Sequence, residues 1–287
     1  YGRCDKGFVK MILAKLYLNA EVYVGEDRYA DCAAICEDLV ATYSLAENFA
    51  DLFAADNDRF AVGTEEIIFA VPHDGINTTS YGGTNFLIFA GTGGDMIPAG
   101  ISSGWGGLSV TKQVSERYAE GDARAMFFTD YGTAITDREV FTSGGYKSVK
   151  FRNVKSNGEA GQTTGFVDTD WPLFRVADAH LMLAECAARG KADNAKGLAS
   201  LNAVRERAGL EAVSSFTAQD VLDERSRELL WEGCRRTDLV RFGQFTTDSY
   251  VWEYKGSVKE GAAVADHRNL FPLPPADVNS NSNLKQN

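Results

Sequence analysis

Between His73 and Gly107 the chain sets Tyr81, Phe86, Phe89 and Trp105 in a stretch rich in Gly, Asn, Thr and Ser. Tyr81 and Trp105, together with the amides of Asn77 and Asn85, offer binding chemistry. A sugar ring presents hydroxyls that take paired hydrogen bonds and a patch of C–H groups that packs on an aromatic face. Its sites therefore combine Trp or Tyr with Asn, Asp, Gln or Arg. Trp105 is the first candidate, because Gly104, Gly106 and Gly107 leave little backbone bulk to hide it. The competing reading is that each ring anchors the loop to its neighbours.

Catalytic patterns are thinner. Gly100-Ile101-Ser102-Ser103-Gly104 fits G-x-S-x-G, yet a nucleophile elbow needs a strand before it and a helix after it, and Pro98-Ala99 and Trp105-Gly106-Gly107 suit neither. His180 lies in an Ala/Leu-rich helix, where a satisfied core histidine is expected rather than a base. Gly91-Thr92-Gly93-Gly94-Asp95 lacks the lysine of a phosphate loop and the last glycine of a dinucleotide fingerprint, so it reads as a flexible loop. A glycosidase needs two carboxylates across a cleft, and nothing singles out a pair among the 40 acidic residues. No catalytic residue is assigned.

The five cysteines, Cys4, Cys32, Cys36, Cys186 and Cys234, contain no C-x-x-C pair. Cys32 and Cys36 share a helix face with Leu39, Val40 and Tyr43 and read as small buried apolar residues. The Asp-rich loops leave calcium open, but no D-x-D-x-D-G run is present, and neither a metal site nor a cofactor is assigned. The net charge of −11 repels a phosphate backbone and anionic lipid, which excludes nucleic acid as a partner. No apolar run approaches the ~18 residues that span a bilayer. With 287 residues, 44% of them hydrophobic and 24% charged, the chain is globular.

The elements that must hold the loop are helical. Val9, Leu13, Leu16, Tyr17 and Ala20 make one stripe, a turn follows near Gly25, and Cys32 to Tyr43 make a second. Ala177, Leu181, Ala184 and Ala188 lead through Gly190 to Leu198, Leu201, Val204 and Ala208 in another pair. Each hairpin approaches the ~34-residue unit of tetratricopeptide repeats. From Glu65 to Trp171 the helical period fails, with strands predicted at Ile67–Val71 and Tyr146–Lys155. The run Val221–Gly243 predicts one helix, capped by Thr217 and Asp220, with Leu222, Ser226, Leu229, Leu230 and Gly233 on one face. Small Ser226 and Gly233 would admit a close neighbour. An ordinary solvated helix would pair Arg225 with Glu228 and Glu232 with Arg236, but the charge is too organised for that alone.

The order ER-x-x-EL-x-x-EG-x-R-x-x-DL-x-RFG in this run resembles the C-terminal signature of the SusD/RagB family of outer-membrane nutrient-binding lipoproteins. Earlier segments are similar to family elements in the same order: Gly2-Arg3 with Lys6-Gly7, Glu65 to Phe69, Gly121 to Arg124, Arg175 to Glu185, and Asn202 to Gly209. Phe271-Pro272-Leu273-Pro274 closes the series. Asp178 stands where Glu is usual, Phe242 where Trp is common, and the chain ends at Gln286-Asn287 rather than Gly-Tyr. The resemblance implies a mainly α fold of tetratricopeptide-like hairpins with a long irregular, partly β insertion. It divides the chain into a helical scaffold (1–60 and 172–243), a loop-rich binding insertion (64–171) and a C-terminal cap (244–287).

The function implied is non-catalytic capture of an oligosaccharide or polysaccharide on the cell surface and its delivery to a SusC-like TonB-dependent outer-membrane transporter. Tyr1 follows no signal peptide or lipid-bearing cysteine, so membrane attachment is expected through a lipid anchor in a preceding N-terminal part. The alternatives are a tetratricopeptide-like scaffold for protein or peptide, and a carbohydrate-active hydrolase.

Overall fold

The computed structural model describes residues 2–93, 99–130, 132 and 144–286. Helix α1 (Lys6–Leu18) begins where the Asp5 carboxylate accepts the Phe8 N–H at 2.9 Å, satisfying one of the donors a helix start leaves unpaired. Because α1 is apolar on most sides, periodicity does not select its buried face. Met11, Ala14 and Leu18 point into the core; of the expected stripe, Ala20 is buried and Tyr17 packs against the core, whereas Val9, Leu13 and Leu16 are exposed. Helix α2 (Ala20–Val24) turns at Gly25 toward α3 (Tyr29–Thr42), which buries Cys32, Cys36 and Leu39 as their spacing requires. Two 3-10 turns, Phe49–Phe53 and Asn57–Ala61, lead to β1 (Ile67–Val71).

The stretch predicted as loop after β1 holds a helix, α4 (Gly83–Gly91). Its sequence GTNFLIFAG begins and ends in glycine, which reads as turn chemistry, and it has no polar face to set a period. After the short α5 (Lys112–Ser115), β2 (Phe127–Phe128) pairs antiparallel with β3 (Lys147–Ser148). The expected strand Tyr146–Lys155 is reduced to β3 and isolated bridges at Tyr146 and Val154. Its alternation misleads because Lys147 and Lys150 are both buried, each with acceptors for its ammonium. Strand β4 (Trp171–Arg175) returns antiparallel to β1, with Ile67 opposite Arg175 and Val71 opposite Trp171. The excursion 72–170 thus leaves from and rejoins one two-stranded stem.

Helix α6 (Val176–Ala188) is buried on several faces because it is packed against α3 and also against α7 (Asn194–Arg207) and α8 (Ala218–Glu228). Ala179, Met182, Leu183 and Cys186 join Met11, Cys32 and Leu39 in one core, and Ala177, Leu181 and Ala184 join Leu201, Val204 and Val221 in another. A third core, with Phe49, Phe53, Ile88, Phe89 and Phe151, lies beneath the insertion. The fold is mainly α, and the cap at α8 is the expected box: Thr217 and Asp220 exchange side-chain and backbone hydrogen bonds.

The run Val221–Gly243 is not one helix. Helix α8 ends at Glu228, Trp231 and Gly233 take left-handed φ values of 61° and 77°, and α9 (Arg235–Arg241) starts afresh. Gly233 is exposed and serves that turn, not a close helix contact. The chain forms two compact units, Tyr1–Cys234 and Arg235–Asn287. The second holds α9, 3-10 turns at Lys255–Ser257 and Asp266–Asn269, and α10 (Pro275–Ser280). Within it Asp238 and Arg241 pair at 2.8 Å, and the buried Lys255 ammonium donates to the Thr247 and Tyr250 carbonyls.

One set of charges in the first unit is buried as a connected cluster. Glu228 meets Arg175 at 2.9 Å and Arg124 at 3.2 Å, and it also pairs with Arg207. Glu66 pairs with Arg175 and Arg207 and accepts the Ala46 N–H, while Glu232 takes Arg175 at 2.7 Å and Lys150 at 2.6 Å. Asp122 and Glu224 complete the cluster on Arg124. Arg225, which an ordinary solvated helix would pair with Glu228, joins Lys15 on Asp178, at 2.7 and 2.6 Å. The Glu228 and Leu230 carbonyls at the end of α8 accept the Lys150 ammonium, as a helix C-terminus favours.

Burial alone raises the Glu228 carboxyl, but Arg207, Arg175, Arg124 and Lys150 outweigh it and hold it well below its usual 4.5. Burial likewise lowers Lys150, to about 8, against the opposing pull of Glu232. Glu228→Gln keeps the shape and takes one buried carboxylate from Arg124, Arg175 and Arg207, which keep their other partners, and urea unfolding is expected to show a loss of about 3–5 kcal/mol. A depressed folded-state carboxyl contributes fully above its unfolded value and is lost as pH falls through the folded one. The wild type is therefore expected to lose stability below pH 4.5, and the variant to lose less over that range. An unchanged urea midpoint contradicts the assignment.

Candidate functional site

The insertion's outer edge is built on α4, and each end of that helix is fastened. At its start, the His73 N–H donates to the Asp170 carboxylate at 2.6 Å, and the His73 Nε2 accepts the Thr84 N–H at 3.3 Å. Nε2 is thus the unprotonated nitrogen, and burial lowers the His73 pKa. Burial also raises the Asp170 carboxyl, to about 6, with the His73 N–H opposing. Thr84 Oγ1 donates to the Thr169 carbonyl at 2.6 Å, tying α4 to the chain entering β4.

At the other end, the last carbonyls of α4 would lack partners. The segment after Gly104 supplies them: the Trp105 N–H donates to Phe89 O at 2.7 Å, Leu108 to Ala90 O at 2.8 Å and Gly106 to Thr92 O at 2.9 Å. Gly104 permits this approach, since a Cβ there would lie 1.9 Å from the Thr92 carbonyl oxygen. The glycines beside Trp105 therefore seat the segment against α4, a different role from the freedom read in the sequence.

Trp105 then rests on Phe89, with ring centroids 5.3 Å apart, and borders Phe86 at 6.1 Å and Tyr81 at 6.2 Å. Tyr81 also touches Phe166 at 5.3 Å. These rings form one exposed ledge, with Tyr81 68%, Phe86 45% and Trp105 41% exposed as whole residues. All these ring pairs are tilted, so flat faces are presented at several angles.

The amides are placed differently. Asn85 is only 2% exposed; its Oδ1 accepts the Val167 N–H at 3.2 Å, and its Nδ2 has no hydrogen-bond partner among the described residues. Asn77 is exposed, and its Nδ2 donates to the Asp74 carboxylate at 2.6 Å within a turn where Asp74 also accepts the Ile76 and Asn77 N–H groups. The structure brings Tyr81 and Trp105 together and adds Phe86 and Phe166. Phe86 was visible as one of four aromatics in the stretch; Phe166 joins from far along the chain, with no local signal.

Ser102 is exposed, and among the described residues its hydroxyl meets the Thr164 carbonyl, at 3.5 Å, while residues 104–109 form no helix. Gly94 and Asp95 of the Gly91–Asp95 loop, and Pro98, lie outside the described residues. His180 is not a satisfied core histidine: its Nδ1 is buried with no hydrogen-bond partner among the described residues. Burial, aided by Arg207, lowers its pKa to about 4. Cys32, Cys36 and Cys186 are buried, whereas Cys4 is exposed. Among the described residues no group of His, Cys, Asp and Glu could hold a metal ion, and no helix is long and apolar enough to cross a membrane.

The sequence profile of the SusD family matches residues 126–287. The chain is 33% identical to the starch-binding protein SusD of Bacteroides thetaiotaomicron, over all of this chain and 60% of that protein. Its fold is similar to that of surface glycan-binding protein A from Bacteroides thetaiotaomicron, with a TM-score of 0.76 at 21% identity, covering 100% of this chain and 64% of that one. A structure of that protein in complex with laminarihexaose matches with a TM-score of 0.75, also at 21% identity and with the same coverage. A SusD superfamily protein from Parabacteroides distasonis matches with a TM-score of 0.75 at 24% identity, over 100% of this chain and 63% of that one. The chain thus spans about 60% of the length of its curated relative.

Two substitutions probe how the ledge is built. Gly104→Ala drives a methyl into Thr92 O and is expected to lower stability by about 1–3 kcal/mol in thermal unfolding. Tyr81→Ala, at an exposed position, is expected to stay within about 0.5 kcal/mol of wild type. A large loss for Tyr81→Ala would mean the ring is core rather than ledge.

Proposed function

This chain belongs to the SusD family, and we propose that it holds an oligosaccharide or polysaccharide at the cell surface, without transforming it, for delivery to a TonB-dependent outer-membrane transporter of the SusC type. The observation that carries this reading is the exposed ledge of Tyr81, Phe86 and Trp105. Neutral sugar rings bind such faces by C–H packing, with the hydroxyls free to meet polar groups at the margin, and the net charge of −11 places no barrier before a neutral ligand. Tyr81 and Trp105 are the principal contacts, with Asn77 as an exposed amide of the same region; Asn85 is buried and supports the loop from within.

The relatives point the same way: one is named for starch binding and another is recorded with laminarihexaose. The transporter partner and the outer-membrane location rest on family membership. Binding without turnover is supported at Ser102, whose hydroxyl meets a backbone carbonyl instead of a base.

Titration against a glycan panel that includes soluble starch and laminarihexaose tests the reading. The expected result is retention of at least one glycan with no new reducing ends, and a rise in Kd of about tenfold or more for Trp105→Ala, about 1.4 kcal/mol. Release of product would instead establish a hydrolase. Absence of retention across the panel would leave the helical hairpins as a scaffold for protein or peptide.

A further inference from the structure

Lys147 lies on β3, away from the ledge in sequence, and is 1% exposed. Its ammonium donates to the Ser109 hydroxyl at 2.6 Å, the Leu108 carbonyl at 3.1 Å and the Gly106 carbonyl at 3.2 Å. An ammonium has three donors, and these acceptors can take all of them. They belong to the segment that begins at Trp105, whose N–H groups are spent on the carbonyls ending α4. The segment is therefore fastened by its N–H groups to a helix end and by its carbonyls to a buried cation. β3 is itself held by β2, and the adjoining Tyr146 bridges to Val110, so the cation is fixed in place.

We propose that Lys147 is the positioning residue of the aromatic ledge: it fixes the backbone that carries Trp105, and so presets the face that meets the glycan. The inference rests on the binding reading above for its functional consequence, but not for its structural one. A ledge built in advance spares the ligand the ordering of a loop, which otherwise subtracts from affinity. Burial of the ammonium lowers the Lys147 pKa, and the shielded site strengthens each hydrogen bond it makes.

Lys147→Met keeps the length and removes the donors. In the full chain, amide hydrogen exchange at Trp105, Gly106 and Leu108 is expected to quicken by about tenfold or more, with the amides of α6 unchanged. Equal exchange at those amides overturns the proposal. With soluble starch and laminarihexaose as probes, the variant is expected to raise Kd by about fivefold or more. In a Trp105→Ala background it should add little, because both changes act through the same ring.

A full additional loss in that background would show that Lys147 acts elsewhere, and so would contradict the assignment. Should Lys147→Met fail to fold, Ser109→Ala, which deletes one acceptor, is expected to quicken the same amides by about threefold, and no change there overturns the proposal. Glycan binding that survives Trp105→Ala undamaged moves the glycan contact away from this ring, while the exchange measurement still decides whether Lys147 holds the segment.

Discussion

The structure depends on a cluster of buried ions centred on Glu228. Removing one carboxylate from water is costly, and it is tolerated here because Arg124, Arg175 and Arg207 surround it while Glu66, Glu232, Glu224 and Asp122 balance those cations. Phe49 and Phe53 lie under the guanidiniums of Arg207 and Arg175, with Lys150 4.3 Å from the Phe53 centroid, so the cations also pack on aromatic faces. Such a cluster often adds less stability than an apolar core of equal volume. It instead penalises any arrangement in which one member is missing. Scaffold and insertion both contribute to it, through α7, α8 and the stem on one side and Asp122, Arg124 and Lys150 on the other.

This explains why the sequence motifs are charged. Glu66, Asp122, Arg124, Arg175, Arg205, Arg207, Glu224, Glu228 and Glu232 lie in separate segments, yet they meet or adjoin in one buried site. The family resemblance was carried by these residues, and they position elements rather than touch ligand. Asp178, shorter than the usual Glu, still reaches both Lys15 and Arg225, and their charges hold it well below the ordinary carboxylate range despite burial. The one-methylene change is absorbed by two long cationic side chains.

Helical hairpins were legible because Cys32, Cys36, Leu39, Leu201 and Val204 repeat at the helical period and are buried. The face of α1 was not legible, since apolar residues surround it and tertiary contacts make the choice. Helix α4 was hidden by its terminal glycines, and the break after Glu228 by a helical pattern that continues across Trp231. At the candidate site, exposed Tyr81 and Trp105 could be named from a glycine-rich stretch, but Lys147 and Phe166 could not: a lysine in a strand pattern reads as solvated, and its burial is decided by carbonyls far away in sequence. Asn85 shows the reverse limit, an amide in the right stretch whose side chain turns inward.

On this reading, saccharide is held on a ledge of rings set in advance by backbone contacts to α4. The most direct measurement is a crystal structure of the protein with a retained glycan. The expected result is a sugar ring with its C–H face against Trp105 or Tyr81 and the 105–108 hydrogen bonds to α4 unchanged. A glycan bound elsewhere, with both rings left bare, would contradict it.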